Sequence, residues 1–302
     1  MAEAVGKRSM IEDAVALALC ALVIYGLDQV LAKAVVRSLD ATSMVAINFI
    51  VSLPLFVFIF AGAVLLWGDY LNHLEYVLYG LIGASTARGG FYIYLEALEK
   101  GAVSMVGSVT AAYPALTALL AITFLGERLG PLSFMGISMI IASMAALSFS
   151  HGRSTGEVTG FSRSSLLLSL ATFLSWGVGA IFIKMALEGL PLMGYLGLYV
   201  FVLPPIGFVY LRHKRASLRI LFPKWTVPVI GAIVVAELWQ LAYFAETAAV
   251  SRGAASMVFP LISAYPVVTI LGARAFLNER LSRLDWLILD IVILGIILIS
   301  IG

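Results

Sequence analysis

Charge is what this chain most conspicuously lacks. Only 12% of its 302 residues are Asp, Glu, Lys or Arg, where a soluble domain carries about 25%. Hydrophobic residues make up 62%, and mean hydropathy is +1.04. In water that much apolar surface would leave large exposed patches, whereas a bilayer accepts it. The net charge is +2, and no basic stripe long enough to follow a phosphate backbone occurs. Nucleic acid is therefore not expected as a partner. Cysteine is almost absent: Cys20 stands alone, cannot form an internal disulfide, and reads as a small apolar residue. The three histidines, His73, His151 and His213, fall in separate predicted loops, so no metal cluster is expected. No Gly-Lys-Ser nucleotide loop occurs, which argues against ATP as an energy source. Neither a cofactor nor an enzyme constellation is expected.

Helix-length apolar runs fill the chain instead. A spanning helix needs roughly 20 apolar residues, and such runs lie at 12–36, 42–66, 74–98, 102–124, 131–150, 164–188, 192–212, 226–249, 254–276 and 284–301. The first is longer than the apolar core of a signal peptide, and no small-x-small cleavage site closes it. Short turns such as Trp67-Gly68-Asp69, Gly126-Glu127-Arg128 and Arg212-His213-Lys214-Arg215 separate the runs. The longest polar connection runs from His151 to Arg163. The alternating segments of a β-barrel are missing. An all-α integral membrane protein of ten transmembrane helices, surrounded by membrane lipid, is expected.

The halves of the chain repeat one another. Tyr25-Gly26 and Lys33 match Trp176-Gly177 and Lys184 at an offset of 151. Gly101-Ala102 with Ser104-Met105-Val106, and Ala112-Tyr113-Pro114, match Gly253-Ala254 with Ser256-Met257-Val258, and Ala264-Tyr265-Pro266, at an offset of 152. Phe124-Leu125 with Glu127-Arg128-Leu129 matches Phe276-Leu277 with Glu279-Arg280-Leu281. A register held through so many pieces is not chance. It divides the chain into 1–152 and 153–302, five helices each. An odd number of crossings makes the second half enter from the opposite side. Two inverted five-helix repeats are expected, an arrangement of secondary transporters with substrate near the midplane at the repeat interface.

On these residues the sequence resembles the EamA family of the drug/metabolite transporter superfamily, over essentially its whole length. The resemblance rests on the aromatic-Gly pair with a distant Lys in spans 1 and 6, the mid-helix prolines of spans 4 and 9, and the Glu that follows those spans. Within the family the chain is most similar to the ten-helix aromatic amino acid exporters. The resemblance implies a central cavity lined mainly by spans 1, 3, 4, 6, 8 and 9, with spans 5 and 10 peripheral. It implies no particular substrate, since the family handles amino acids, amines, other metabolites and drugs.

Several residues are candidates for the transport chemistry. Pro114 and Pro266 break spans 4 and 9 and free the carbonyls of Thr110 and Ile262. Freed carbonyls in lipid must face protein or a water-filled cavity, so matched breaks mark a hinge or a site. Tyr113 and Tyr265 lie beside them. Arg88 lies mid-span in span 3, Glu237 mid-span in span 8, and Asp28 slightly off the midplane in span 1. Ions at such depth must pair with one another or face water. One reading is a zwitterion site, with the Arg88 fork on a carboxylate and Glu237 or Asp28 on an ammonium. The other is an internal ion pair of Arg88 with Glu237 or Asp28. Tyr92, Trp176, Trp239, Gln240 and Tyr243 supply an aromatic and amide lining that attracts rings and cations. Gly83, Gly90, Gly177 and Gly179 are expected to let helices approach closely. Lys33 and Lys184 are expected to snorkel to headgroups. Glu96 and Glu246 read as interfacial, Glu127-Arg128 and Glu279-Arg280 as exposed loop charges, and Asp290 as an interhelical or dimer contact.

The expected function is a secondary active transporter in the inner or plasma membrane. It exports a small-molecule substrate, an amphipathic metabolite such as an amino acid, by alternating access, and Glu237 or Asp28 is a candidate carrier of a coupling proton. The alternatives are an exporter of cationic amines or drugs and, from another class, a ligand-binding membrane sensor or scaffold. Basic residues divide into five on the face holding the termini and thirteen on the other. The positive-inside rule thus places the termini outside, whereas the resemblance places them in the cytoplasm.

Overall fold

A computed structural model describes residues 2–35, 38–68, 72–100, 106, 109, 110, 112–154, 163–216, 225–277 and 283–301. Every element among them is a helix. The first half holds α1 (Ala2–Val35), α2 (Ala41–Leu66), α3 (Leu74–Lys100), α4 (Tyr113–Phe124) and α5 (Pro131–Ser154). The second holds α6 (Arg163–Gly189), α7 (Leu192–Gly197), α8 (Tyr199–His213), α9 (Val227–Arg252), α10 (Ala255–Ile262), α11 (Pro266–Leu277) and α12 (Arg283–Ile301). Among the described residues, six helical segments are long and apolar enough to cross a membrane: Met10–Ala32, Thr42–Leu66, Arg163–Gly189, Leu192–His213, Val227–Arg252 and Ala255–Gly272. Shorter apolar helices cover Tyr113–Phe124, Pro131–Ser143 and Trp286–Ile301. Leu65 is 85% exposed and Phe58 78%. Such an outer surface fits hydrocarbon rather than water.

Local chemistry sets the helix ends and breaks. Asp40 caps α2, its carboxylate accepting the Ser43 N–H at 3.2 Å. Two predicted spans are broken rather than continuous. The span 192–212 divides at Leu198, after Gly197, into α7 and α8, and within α8 Pro204 and Pro205 remove two N–H donors from the ladder. The span 254–276 divides at Ser263–Tyr265, where Ala264 and Tyr265 donate to the carbonyls three residues back, Leu261 and Ile262. This tight turn satisfies the Ile262 carbonyl that Pro266 cannot reach. In the span 102–124 the described helix α4 begins at Tyr113, with Pro114 in its first turn.

Helices of one half pack on helices of the other. α1 lies along α9, α3 along α6, and α5 along α12, while α2 packs on α7 and α8. Gly83 faces the Ile183 backbone, and Gly179 faces Thr86 too closely to admit a Cβ. Bulk at either position would push α3 and α6 apart. The bundle encloses a core whose largest fully buried side chains include Tyr195, Tyr199, Phe56 and Leu203.

Candidate functional site

Between these pairs lies a cavity of about 250 Å³. α1 contributes Tyr25 and Gln29 to its wall, α3 Arg88, Phe91 and Tyr94, and α6 Trp176. α8 contributes Tyr199, and α9 contributes Trp239, Tyr243 and Glu246. Tyr113 of α4, Phe259 of α10 and Tyr265 with Pro266 at the α10–α11 break complete it. The rings brace one another at angles that favour quadrupole contacts. Tyr25 meets Trp239 edge-on at 5.0 Å between centroids, Tyr113 meets Trp176 at 5.6 Å, and Phe91 tilts against Trp239 at 5.1 Å. Trp176 donates its indole N–H to the Ala87 carbonyl at 3.3 Å, which fixes the ring plane.

Two charged groups enter this aromatic box from opposite halves. Arg88 is 4% exposed, donates to Asn48 Oδ1 at 2.8 Å, and sits over the Tyr199 ring at 5.7 Å. Glu246 accepts the Tyr25 hydroxyl at 2.9 Å. Neither has a charged partner within 4.0 Å among the described residues. Beside them the Tyr195 and Tyr199 hydroxyls each lie 2.7 Å from the Tyr243 hydroxyl. The site therefore holds a cation with spare donors, a carboxylate with a spare oxygen, and ring faces between them.

Of the residues singled out from sequence, Arg88, Tyr113, Trp176, Trp239, Tyr243, Tyr265 and Pro266 line the cavity. Four others do not. Glu237 is exposed on the outer surface of α9, because the cavity face of that helix runs Trp239, Tyr243, Glu246, and a 100° advance per residue puts Glu237 on the far side. Gln240 is buried outside the cavity and donates to Ser52 Oγ at 2.5 Å. Tyr92 lies a third of a turn from Phe91 and packs on Tyr210 at 4.9 Å. Asp28, 2% exposed, pairs with neither Arg88 nor any other described basic group. The expected Arg88–Glu237 and Arg88–Asp28 pairs are thus not formed. Pro114 is buried but stands off the cavity.

Glu246 is the residue that sequence depth misplaced. It was expected at the interface, yet α9 runs on to Arg252, leaving Glu246 more than a turn inside. Its spacing from Trp239 and Tyr243, i+7 and i+3, is the signal that finds it. Other end-of-helix expectations also change. Glu127, expected as an exposed loop charge, accepts the backbone N–H groups of Ala255 and Ser256, both at 2.8 Å. It thereby caps α10, the helix that brings Phe259 to the cavity. Lys184, expected to snorkel, donates to the carbonyls of Val250 at 3.0 Å and Gly253 at 2.8 Å. One residue from each half thus clasps the α9–α10 junction. Glu96 pairs with Lys214 at 2.7 Å. Asp290 is exposed on the outer face of α12. The Lys33 side chain and residues Glu279 and Arg280 lie outside the described residues.

A helical membrane-spanning bundle around one aromatic, charge-bearing cavity defines a multi-pass transporter-like protein. The profile of the EamA-like transporter family matches residues 13–149 and 163–301, and the chain belongs to that family. It is a membrane transporter of the drug/metabolite type. It is 29% identical over 142 residues to the Methanocaldococcus jannaschii protein named "Uncharacterized protein MJ1333.1". That alignment spans 46% of this chain and 98% of the relative, so the relative has the length of one half. A solved structure described as "Crystal structure of protein" shares the fold at a TM-score of 0.73 and 18% identity, over 95% of this chain and 96% of its own.

Proposed function

We propose that the protein is a secondary active transporter in the cell's inner or plasma membrane that exports small zwitterionic metabolites, amino acids first among them, by alternating access. The observation that carries this reading is the placement of Arg88 and Glu246 in one cavity without an ion pair between them. A buried guanidinium and a half-buried carboxylate that do not neutralise each other call for a ligand that supplies both countercharges. Arg88 holds the carboxylate through its planar fork, Glu246 holds the ammonium, and the rings hold an apolar side chain.

The halves, 1–152 and 153–302, act as inverted repeats that rock about the cavity, with the prolines at 114 and 266 as hinges. Interchanged packing supports this: α1 of the first half lies on α9, and α6 of the second on α3. Repeat-matched residues also meet at the site, Tyr25 with Trp176 and Tyr113 with Tyr265. Uptake of radiolabelled amino acids by purified protein in liposomes, read as counterflow, tests the function. Saturable exchange that neutral amino acids compete for supports it, and a folded protein that binds without exchange is a sensor. The aromatic box with Glu246 also suits a cationic amine. Competition by phenethylamine but not phenylalanine would select that reading.

A further inference from the structure

Asp28 is the buried acid that the zwitterion site leaves unused. It is 2% exposed, and its Oδ1 has no hydrogen-bond partner among the described residues. It stands in a row with Ala14, Ala21 and Val35, each seven residues from the next. Two of these neighbours show where the row faces. A Cβ on Gly253, the C-cap of α9, would meet Ala14 Cβ, and one on Gly231 near the start of α9 would meet Val35 Cγ2. The helices therefore run antiparallel, and the seven-residue row is their seam. In a seam otherwise built from Ala and Val, Asp28 is the single acid.

The same two helices carry the cavity walls. Tyr25 and Gln29 flank Asp28 on α1, and Trp239, Tyr243 and Glu246 line the cavity from α9. Among the described residues no basic group lies within 4.0 Å of Asp28. On α9, Glu237 is exposed outward and Glu246 is bonded to Tyr25. The described part of α10 has no ionisable side chain, and Arg274 on α11 is exposed over Trp286 at 5.3 Å. Tyr265, at the α10–α11 break, lies within electrostatic reach. An unpaired carboxylate in such a seam keeps the full penalty of a buried charge, and a bound proton removes it. A hard metal ion would instead need several oxygen ligands, and no cluster of three or more acidic, His or Cys side chains occurs among the described residues.

We propose that Asp28 is the proton-coupling site of this transporter. A proton taken from water on one side forms the Oδ–H bond that lets the α1–α9 seam close. When the seam opens to the other side, that bond breaks and the proton passes to water there. The proposal rests on the transport reading, and two measurements keep the two apart. The first is the infrared carboxylic-acid C=O band of purified protein at neutral pH, which needs no substrate. Asp28 in the closed seam gives such a band, and Asp28→Asn removes it while Asp28→Glu keeps a shifted one. A band unchanged in Asp28→Asn overturns the proposal. The second uses phenylalanine as probe in liposomes. Asp28→Asn keeps wild-type counterflow but no longer concentrates phenylalanine against its gradient when a proton gradient is imposed. Proton-driven accumulation that survives in Asp28→Asn, or wild-type accumulation driven by sodium alone, overturns it. If neither protein exchanges any amino acid, the substrate reading fails, and the infrared band still decides whether Asp28 holds a proton.

Discussion

The Tyr25 hydroxyl reaches Glu246 at 2.9 Å across 221 positions of sequence, tying the first helix of one half to the cavity wall of the other. That bond aims the carboxylate and leaves its second oxygen for a ligand. Hydrogen bonds to charged groups contribute about 1.5–3 kcal/mol. Tyr25→Phe keeps the ring, and its contact with Trp239, but frees Glu246 to turn. A rise of roughly tenfold in the half-saturating amino acid concentration is expected, with folding unchanged, as measured by liposome exchange across a concentration series.

Arg88 should separate two ligand classes. Lysine keeps the charge but lacks the fork, so Arg88→Lys is expected to weaken phenylalanine by about 2 kcal/mol, roughly thirtyfold. Phenethylamine, which has no carboxylate, should compete as well as before. Equal losses for both compounds would assign Arg88 to structure.

The clasp at the α9–α10 junction can be opened from either side. Glu127→Gln weakens a charge-assisted cap on two N–H groups and should destabilise the junction by about 1 kcal/mol. Lys184→Met removes donors to two carbonyls. Amide hydrogen exchange at residues 253–258 should quicken in both variants. Because both residues hold one junction, the double variant should fall short of the sum.

Close approach between α1 and the broken helix makes Gly26 sensitive. A Cβ there would overlap the Val268 side chain and come within 2.9 Å of the Tyr265 carbonyl. Overpacking of this kind costs about 1–3 kcal/mol. Gly26→Ala should melt several degrees lower in detergent and slow exchange more than it weakens binding. Gly62, with nothing within 4 Å of an added Cβ, is the control.

Apolar length and turn punctuation made the helices legible: the ends of α2, α3, α6, α9 and α12 fall within a few residues of the expected ones, whereas α1 begins at Ala2, well ahead of the expected residue 12. Duplication made the matched pairs Tyr25/Trp176 and Tyr113/Tyr265 legible as well. Which face of a helix looks inward was harder to read. Depth along α9 favoured Glu237 over Glu246, but depth says nothing of helical phase, and the two residues lie on opposite faces. The division at Leu198, beside Gly197, was also hard to read: Pro204 and Pro205 free only the carbonyls of Val200 and Phe201, further along α8. Glu127 caps a helix 128 positions away, a contact that no local pattern announces.

The three tyrosine hydroxyls at 195, 199 and 243 close on one another. Tyr199 donates to Tyr243 at 2.7 Å, the Tyr195–Tyr243 contact of 2.7 Å can run in either direction, and the Tyr195 and Tyr199 hydroxyls lie within bonding reach of each other. Tyr195 is wholly buried, whereas Tyr199 and Tyr243 line the cavity. When Tyr195 donates, Tyr243 keeps a proton to offer a ligand; when Tyr243 donates, it keeps a lone pair. One neutral wall of the cavity thus adapts to donor or acceptor before any charge is counted.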